Sequence, residues 1–97
     1  MRYEVILAPE AIEDLKRLKA HVRAEVRDAI DRHIRHEPTK TSRSRIKRLR
    51  GLSKPQYRLR VGEVRIFYDV SGLSVEVLAI VAKVGAGAWL EKAGGPI

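Results

Sequence analysis

Apolar and polar positions first alternate, then shift to a helical period. Over residues 2–8, Tyr3, Val5 and Leu7 stand against Glu4 and Ile6, which predicts a first strand. Pro9 suits the first turn of a helix, and Glu10, Glu13 and Asp14 suit its positive end. Ala11, Ile12, Leu15 and Leu18 recur at helical spacing, and a second register runs through Val22, Val26, Ala29, Ile30, His33 and Ile34. The register breaks near Lys19–His21, and Pro38 stops the second run. The pattern therefore predicts two amphipathic helices forming a hairpin with one apolar face.

Residues 39–56 are polar and basic, with Gly51 and Pro55 among them, and read as a loop with room for a helical turn around Ile46–Leu49. Three strands are predicted next, at about 56–61, 64–70 and 75–82. Gly62-Glu63 is a two-residue connection with glycine first, as a type II′ hairpin turn prefers, and Ser71-Gly72-Leu73-Ser74 makes the following turn. The final "AGAWLEKAGG" reads as a short helix between glycines. The order implies an α+β domain: a small antiparallel sheet with an N-terminal strand, a two-helix hairpin on one face, three antiparallel strands and a short C-terminal helix.

Ninety-seven residues make one domain, 1–97, with enough chain for a single small core. With no cysteine, neither a disulfide nor a thiolate metal site is available, which fits a reducing cytoplasm. The opening "MRYEVILAPE" has no signal-peptide pattern, and no apolar run approaches the ~20 residues of a membrane span. A cytoplasmic protein with no membrane partner is the expectation.

Charge changes the picture. Between Lys40 and Arg65 lie ten basic residues and one acid, Glu63, so this segment carries +9 while the whole chain carries +8. Such concentration is the electrostatic footprint of a polyanion site. Placing the turn at Gly62-Glu63 pairs Val61 with Val64, Arg60 with Arg65, Leu59 with Ile66, Arg58 with Phe67 and Tyr57 with Tyr68. One face is then Tyr57, Leu59, Val61, Val64, Ile66 and Tyr68, suited to a core. The other carries Arg58, Arg60, Arg65 and Phe67. Like charges directly opposite destabilise a sheet, and a bound phosphate relieves them, because the guanidinium fork matches it. A wet sheet face needs no such purpose, but three convergent arginines beside a basic loop favour nucleic acid, with Phe67 placed to stack a base. Arg45, Lys47, Arg48 and Arg50 extend this surface, expected to bind RNA or DNA phosphate.

The stretch "RLRGLSKPQYRLRVGEVRIFYDV" (48–70), set after two helices and before "SVEVLAIVAK", resembles the RelE/ParE superfamily of toxins from type II toxin–antitoxin systems. The resemblance runs from the first strand to about Lys83. It implies a RelE-like fold, a RelB-like antitoxin as partner, and, in the RelE branch, cleavage of mRNA on the ribosome. There the 2′-hydroxyl attacks the adjacent phosphate at a site of basic residues, with neither metal nor organic cofactor. The resemblance carries phosphate clamping to Arg58, Arg60 and Arg65. Arginine is effectively never deprotonated, so a base has to come from Lys54, Lys83 or Glu63. The family's C-terminal arginine and tyrosine have no counterpart in "VAKVGAGAWLE"; Lys83 is placed to replace the arginine and Trp89 to stack a base, and neither supplies the tyrosine's hydroxyl. Two alternatives stay open: a ParE-like inhibitor of DNA gyrase without catalysis, and an inactive member that binds only its antitoxin.

Other residues read more plainly. His33-x-x-His36-Glu37 has ligand spacing but no third partner, so no metal site is expected. His21 is expected at the surface, Tyr57 and Tyr68 in the core, and Trp89 and Leu90 packed on the sheet.

Overall fold

The computed structural model describes residues 2–96. Strand β1 (Glu4–Leu7) leads into α1 (Pro9–Arg17) and α2 (Ala20–Ala29), which continues as a π-helical turn over Ile30–Ile34. The strands β2 (Ile46–Arg48), β3 (Leu52–Lys54), β4 (Tyr57–Val61), β5 (Val64–Ser71) and β6 (Ser74–Ala82) follow, then α3 (Lys83–Ala93) and β7 (Gly95–Pro96). Five strands form one sheet in the order β1-β6-β5-β4-β2, and β3 pairs with β7 in a separate two-stranded sheet. The main sheet is antiparallel from β6 to β2, and β1 joins its edge parallel to β6.

The helix hairpin breaks without a glycine. Leu18 turns to an extended conformation, and the Arg23 guanidinium reaches back to the end of α1, donating to Leu15 O (3.2 Å), Lys16 O (3.2 Å) and Leu18 O (2.8 Å). These are carbonyls that a helix end leaves without intrahelical donors. Asp14 performs the complementary service on the sheet. β1 ends at Leu7, opposite Val77, and beyond it the Asp14 carboxylate accepts the Ile80 N–H at 2.9 Å.

The hairpin register is the one alternation predicts: Val61 with Val64, Arg60 with Arg65, Leu59 with Ile66, Arg58 with Phe67, Tyr57 with Tyr68. Gly62 has φ +56° and Glu63 is not left-handed, the combination of a type II′ turn. Leu59, Val64, Ile66 and Tyr68 are buried with Val26, Ile30 and Ile34 of the helical side in one core. Tyr68 is fully enclosed, stacks on Tyr57 at 5.5 Å and donates its hydroxyl to Pro38 O at 2.6 Å.

Two expectations are corrected. Ile46–Leu49 is not a helical turn, because Ile46–Arg48 is an edge strand paired with β4. Leu59 and Tyr57 needed cover on that side, and Ile46 supplies it opposite Leu59; three residues are too few for alternation to declare a strand. The second correction concerns the sheet's other face, which is roofed by α3.

Candidate functional site

The strand register determines which cations meet. Lys47 lies directly opposite Arg58, and Arg60 directly opposite Arg65, so β2, β4 and β5 bring four cations to the face turned away from the helix hairpin. None of the four forms an ion pair with another described residue. Burial, and then the charges of Arg65 and Arg60, pull the Arg58 guanidinium below its ordinary value. Arg58 Nε is buried with no hydrogen-bond partner among the described residues. A buried donor left unsatisfied costs about 1–3 kcal/mol.

The four are not equivalent. Arg60 is exposed, whereas Arg65 is only 7% exposed, and its Nη1 donates to Gly62 O (2.8 Å) and Val64 O (3.0 Å). Arg65 therefore braces the β4–β5 turn with part of its fork, and the expectation of a solvent-facing side chain is corrected. Phe67 is corrected as well: it is 1% exposed and stacked against Trp89 of α3, ring centroids 4.9 Å apart and planes 11° apart. Burying a phenylalanine is worth roughly 1.5–3 kcal/mol, and α3 provides the cover. Phe67 is thus a floor for Trp89 and offers no face to a base. That Trp89 packs on the sheet agrees with the sequence reading.

The remaining predicted residues are spread around this face. Arg48 shares the opposite side with Tyr57, its guanidinium carbon 5.2 Å from that ring's centroid and its Nη1 donating to Gln56 O at 2.8 Å. Arg45 passes its carbonyl to the Arg60 N–H (2.9 Å) while its side chain lines a hollow with His33, Glu37 and Ser42. Arg50 is exposed in the turn before β3. Lys54 sits on β3, beside Trp89 and Glu10, and its charge is not among those acting on Arg58. Lys83 opens α3 at the corner of the cluster, where its backbone N–H donates to Glu63 O at 2.8 Å. The sequence reading missed the brace made by Arg65 and the roles of Arg23 and Asp14. Side chains that bond to backbone far along the chain leave no periodic signal.

Among the described residues, no group of three or more His, Cys, Asp or Glu is arranged to hold a metal ion. No helix is long and apolar enough to cross a membrane.

Comparison with known proteins agrees with the fold. A comparison with curated proteins returned no match. Among solved structures, the RelE–RelB complex from the archaeon Pyrococcus horikoshii shares the fold, with TM-score 0.70 and 21% identity over 86% of this chain and 97% of that one. A mutant E. coli toxin RelE in the free state gives TM-score 0.70 and 21% identity over 96% of this chain and 95% of that one. The YoeB/ParE toxin from Agrobacterium tumefaciens gives 0.66 and 20%, covering 81% and 96%. Several such neighbours are toxin–antitoxin complexes, with RelB or YefM as the second component. Residues 5–84 match the family described as the ParE toxin of type II toxin–antitoxin systems, parDE, and the chain belongs to that family, as a toxin of the RelE/ParE kind.

Proposed function

We propose that this toxin acts on RNA: its basic sheet face grips the backbone of messenger RNA on the ribosome, and the chain cleaves that RNA, halting translation. The observation that supports this best is the double cross-strand pairing of cations, Lys47 with Arg58 and Arg60 with Arg65, none of which forms an ion pair with an acidic side chain among the described residues. Four cations held together at a cost are worth keeping for a ligand that carries the opposite charge, and a phosphodiester fits the guanidinium fork.

The chemistry follows from what arginine can and cannot do. The 2′-hydroxyl oxygen attacks the neighbouring phosphorus; the O2′–P bond forms as the P–O5′ bond breaks, leaving a cyclic phosphate and a 5′-hydroxyl. The 2′ proton passes to a base, and the departing 5′ oxygen receives a proton from an acid. Arg58 and Arg60 neutralise the negative charge that builds on the phosphate oxygens. Proton transfer belongs to the corner where Lys83 and Glu63 meet through the backbone, because the four paired positions hold only lysine and arginine. A cognate RelB-like antitoxin keeps this face occupied until it is removed.

One observation favours a second reading, a non-catalytic inhibitor of DNA gyrase: no histidine, carboxylate or tyrosine stands within the two cation pairs. Primer extension on a defined mRNA in a cell-free translation reaction separates the readings. New 5′ ends within codons, formed only with ribosomes and lost in Arg60→Ala, are expected. Intact mRNA together with inhibited supercoiling by gyrase would overturn the nuclease reading.

A further inference from the structure

Between the start of α1, β3, β6 and α3 lies a hollow of about 300 Å³ that the proposed chemistry leaves unused. Its walls are Pro9, Leu78, Trp89 and Ala93, and its two ionisable members are Glu10 and Lys54. That volume is at the lower end of sites for small molecules, roughly 300–1,000 Å³, and an apolar wall with a few polar groups is their usual construction.

We propose that this hollow is a nucleobase subsite, taking a base that bears an exocyclic amino group. The choice of ligand rests on the reading of the chain as an RNA-acting toxin; the fit rests on the hollow itself. Trp89 is held in place from two directions: its ring lies on Phe67, and its Nε1 donates to Glu10 Oε1 at 3.2 Å. A fixed indole is a low-entropy wall for a planar ring, and base–aromatic contact is worth about 1–3 kcal/mol. The Glu10 oxygen not engaged by Trp89 accepts from an amino group, and the Lys54 ammonium donates to a ring nitrogen or carbonyl. Adenine, guanine and cytosine each offer that donor and that acceptor. Uracil presents its one ring N–H between two carbonyl oxygens, which a carboxylate repels.

The position also suits a nucleotide. Phe67, under Trp89, is the register partner of Arg58 on the adjacent strand. Adjacent strands are separated by about 5 Å. The hollow's wall Leu78 lies on β6, two strands or about 10 Å from Arg58 on β4, so a base against Trp89 and a phosphate at Arg58 suit neighbouring nucleotides of one strand. Lys54, drawn from the sequence as a catalytic candidate, acquires a role in base binding instead.

The chain has a single tryptophan, so one indole N–H resonance reports on the hollow. The full chain is titrated with AMP, GMP, CMP, UMP and ribose 5-phosphate at one low salt concentration, following that resonance in ¹H–¹⁵N spectra. A saturable shift with AMP, GMP and CMP is expected, at least tenfold weaker affinity for UMP, and no saturable shift with ribose 5-phosphate. Ala93→Phe, which fills the hollow from the exposed end of α3, is expected to abolish the base-dependent shift while far-UV circular dichroism stays unchanged. Equal shifts with ribose 5-phosphate, equal affinity for UMP, or an unaltered response in a folded Ala93→Phe protein would each overturn the proposal; so would no response to any nucleotide, which leaves the hollow to an apolar side chain of the antitoxin. Base-dependent binding by a protein that leaves mRNA intact would sink the nuclease reading and spare the subsite. Cleavage without base-dependent binding would do the reverse.

Discussion

Arg60 and Arg65 face each other across the hairpin, yet their replacement by alanine should have opposite consequences for stability. Arg65 is enclosed and gives two hydrogen bonds, to Gly62 O at 2.8 Å and Val64 O at 3.0 Å. Hydrogen bonds from a charged donor contribute about 1.5–3 kcal/mol. Gly62 is exposed, so water replaces its missing donor, and the Val64 bond carries most of the effect. Removing the charge also relieves Arg60 by roughly 0.2–1 kcal/mol. The net cost of Arg65→Ala is therefore about 1–2 kcal/mol, which lowers the melting temperature of a domain this size by about 4–16 °C. Arg60→Ala removes an exposed side chain and the same repulsion, so its melting temperature should stay level or rise by a few degrees. RNA binding tells the other half: for a single strand, each phosphate that the protein no longer neutralises flattens the slope of log K against log salt by about 0.7. Arg60→Ala should show that flattening with its fold intact. Thermal unfolding by circular dichroism and salt titrations of RNA affinity measure both. An Arg65→Ala protein as stable as the parent, or an Arg60→Ala protein as damaged as Arg65→Ala, would refute this division of labour.

Other perturbations test the frame around the site. Tyr68→Phe removes the bond to Pro38 O inside the core and should cost about 1–3 kcal/mol, read from urea unfolding; an unchanged midpoint would mean that the carbonyl finds another donor. Asp14→Ala leaves the Ile80 N–H unpaired beyond the end of β1 and should cost a similar amount, about 1–3 kcal/mol, with faster amide exchange at Ile80 as its signature. His33 is held below its ordinary 6.5 by burial first, then by Arg45 and Arg32. The unfolded chain thus binds the proton more readily, and stability should fall as pH drops through 6.5 toward the lowered folded value. Melting temperatures at pH 7.5 and 5.5 should show a smaller drop in His33→Gln than in the parent, and an equal drop would remove His33 from the account.

The helix-facing half of the molecule was legible because every signal there has a period. Alternation at Leu59, Val61, Val64, Ile66 and Tyr68 fixed the inward face of the hairpin, and Gly62 fixed its register, so each cross-strand pair was written in the sequence. Val26, Ile30 and Ile34 marked the helical stripe that lies over them. The break between the helices was visible as a change of register, although its cause, Arg23 folding back onto the end of α1, was not. β2 stayed hidden because it is three residues long and holds one apolar position, Ile46.

The outer face was misread for a related reason. Charge pattern alone treats a face rich in arginine as wet, and it cannot see a helix arriving from the far end of the chain. α3 has weak periodicity of its own, with Gly85, Ala86, Gly87 and Ala88 where an amphipathic stripe would lie, and none of its residues is fully buried. It is placed by one large side chain: Trp89 finds Phe67, the single aromatic ring that alternation sets among the arginines. That one stacking pair turns an open basic surface into two compartments, with the exposed cations Lys47 and Arg60 on one side and the Trp89 hollow on the other. The sheet tolerates Arg65 against Arg60 for a separate reason. Buried, Arg65 folds its guanidinium onto backbone carbonyls, which accept the donors that its strand partner cannot. Three of the four cations on this face, Arg58, Arg60 and Arg65, were placed by alternation; Lys47 joins them only because β2 pairs with β4, and the turn of Arg65 onto backbone carbonyls is a bond that no periodicity announces.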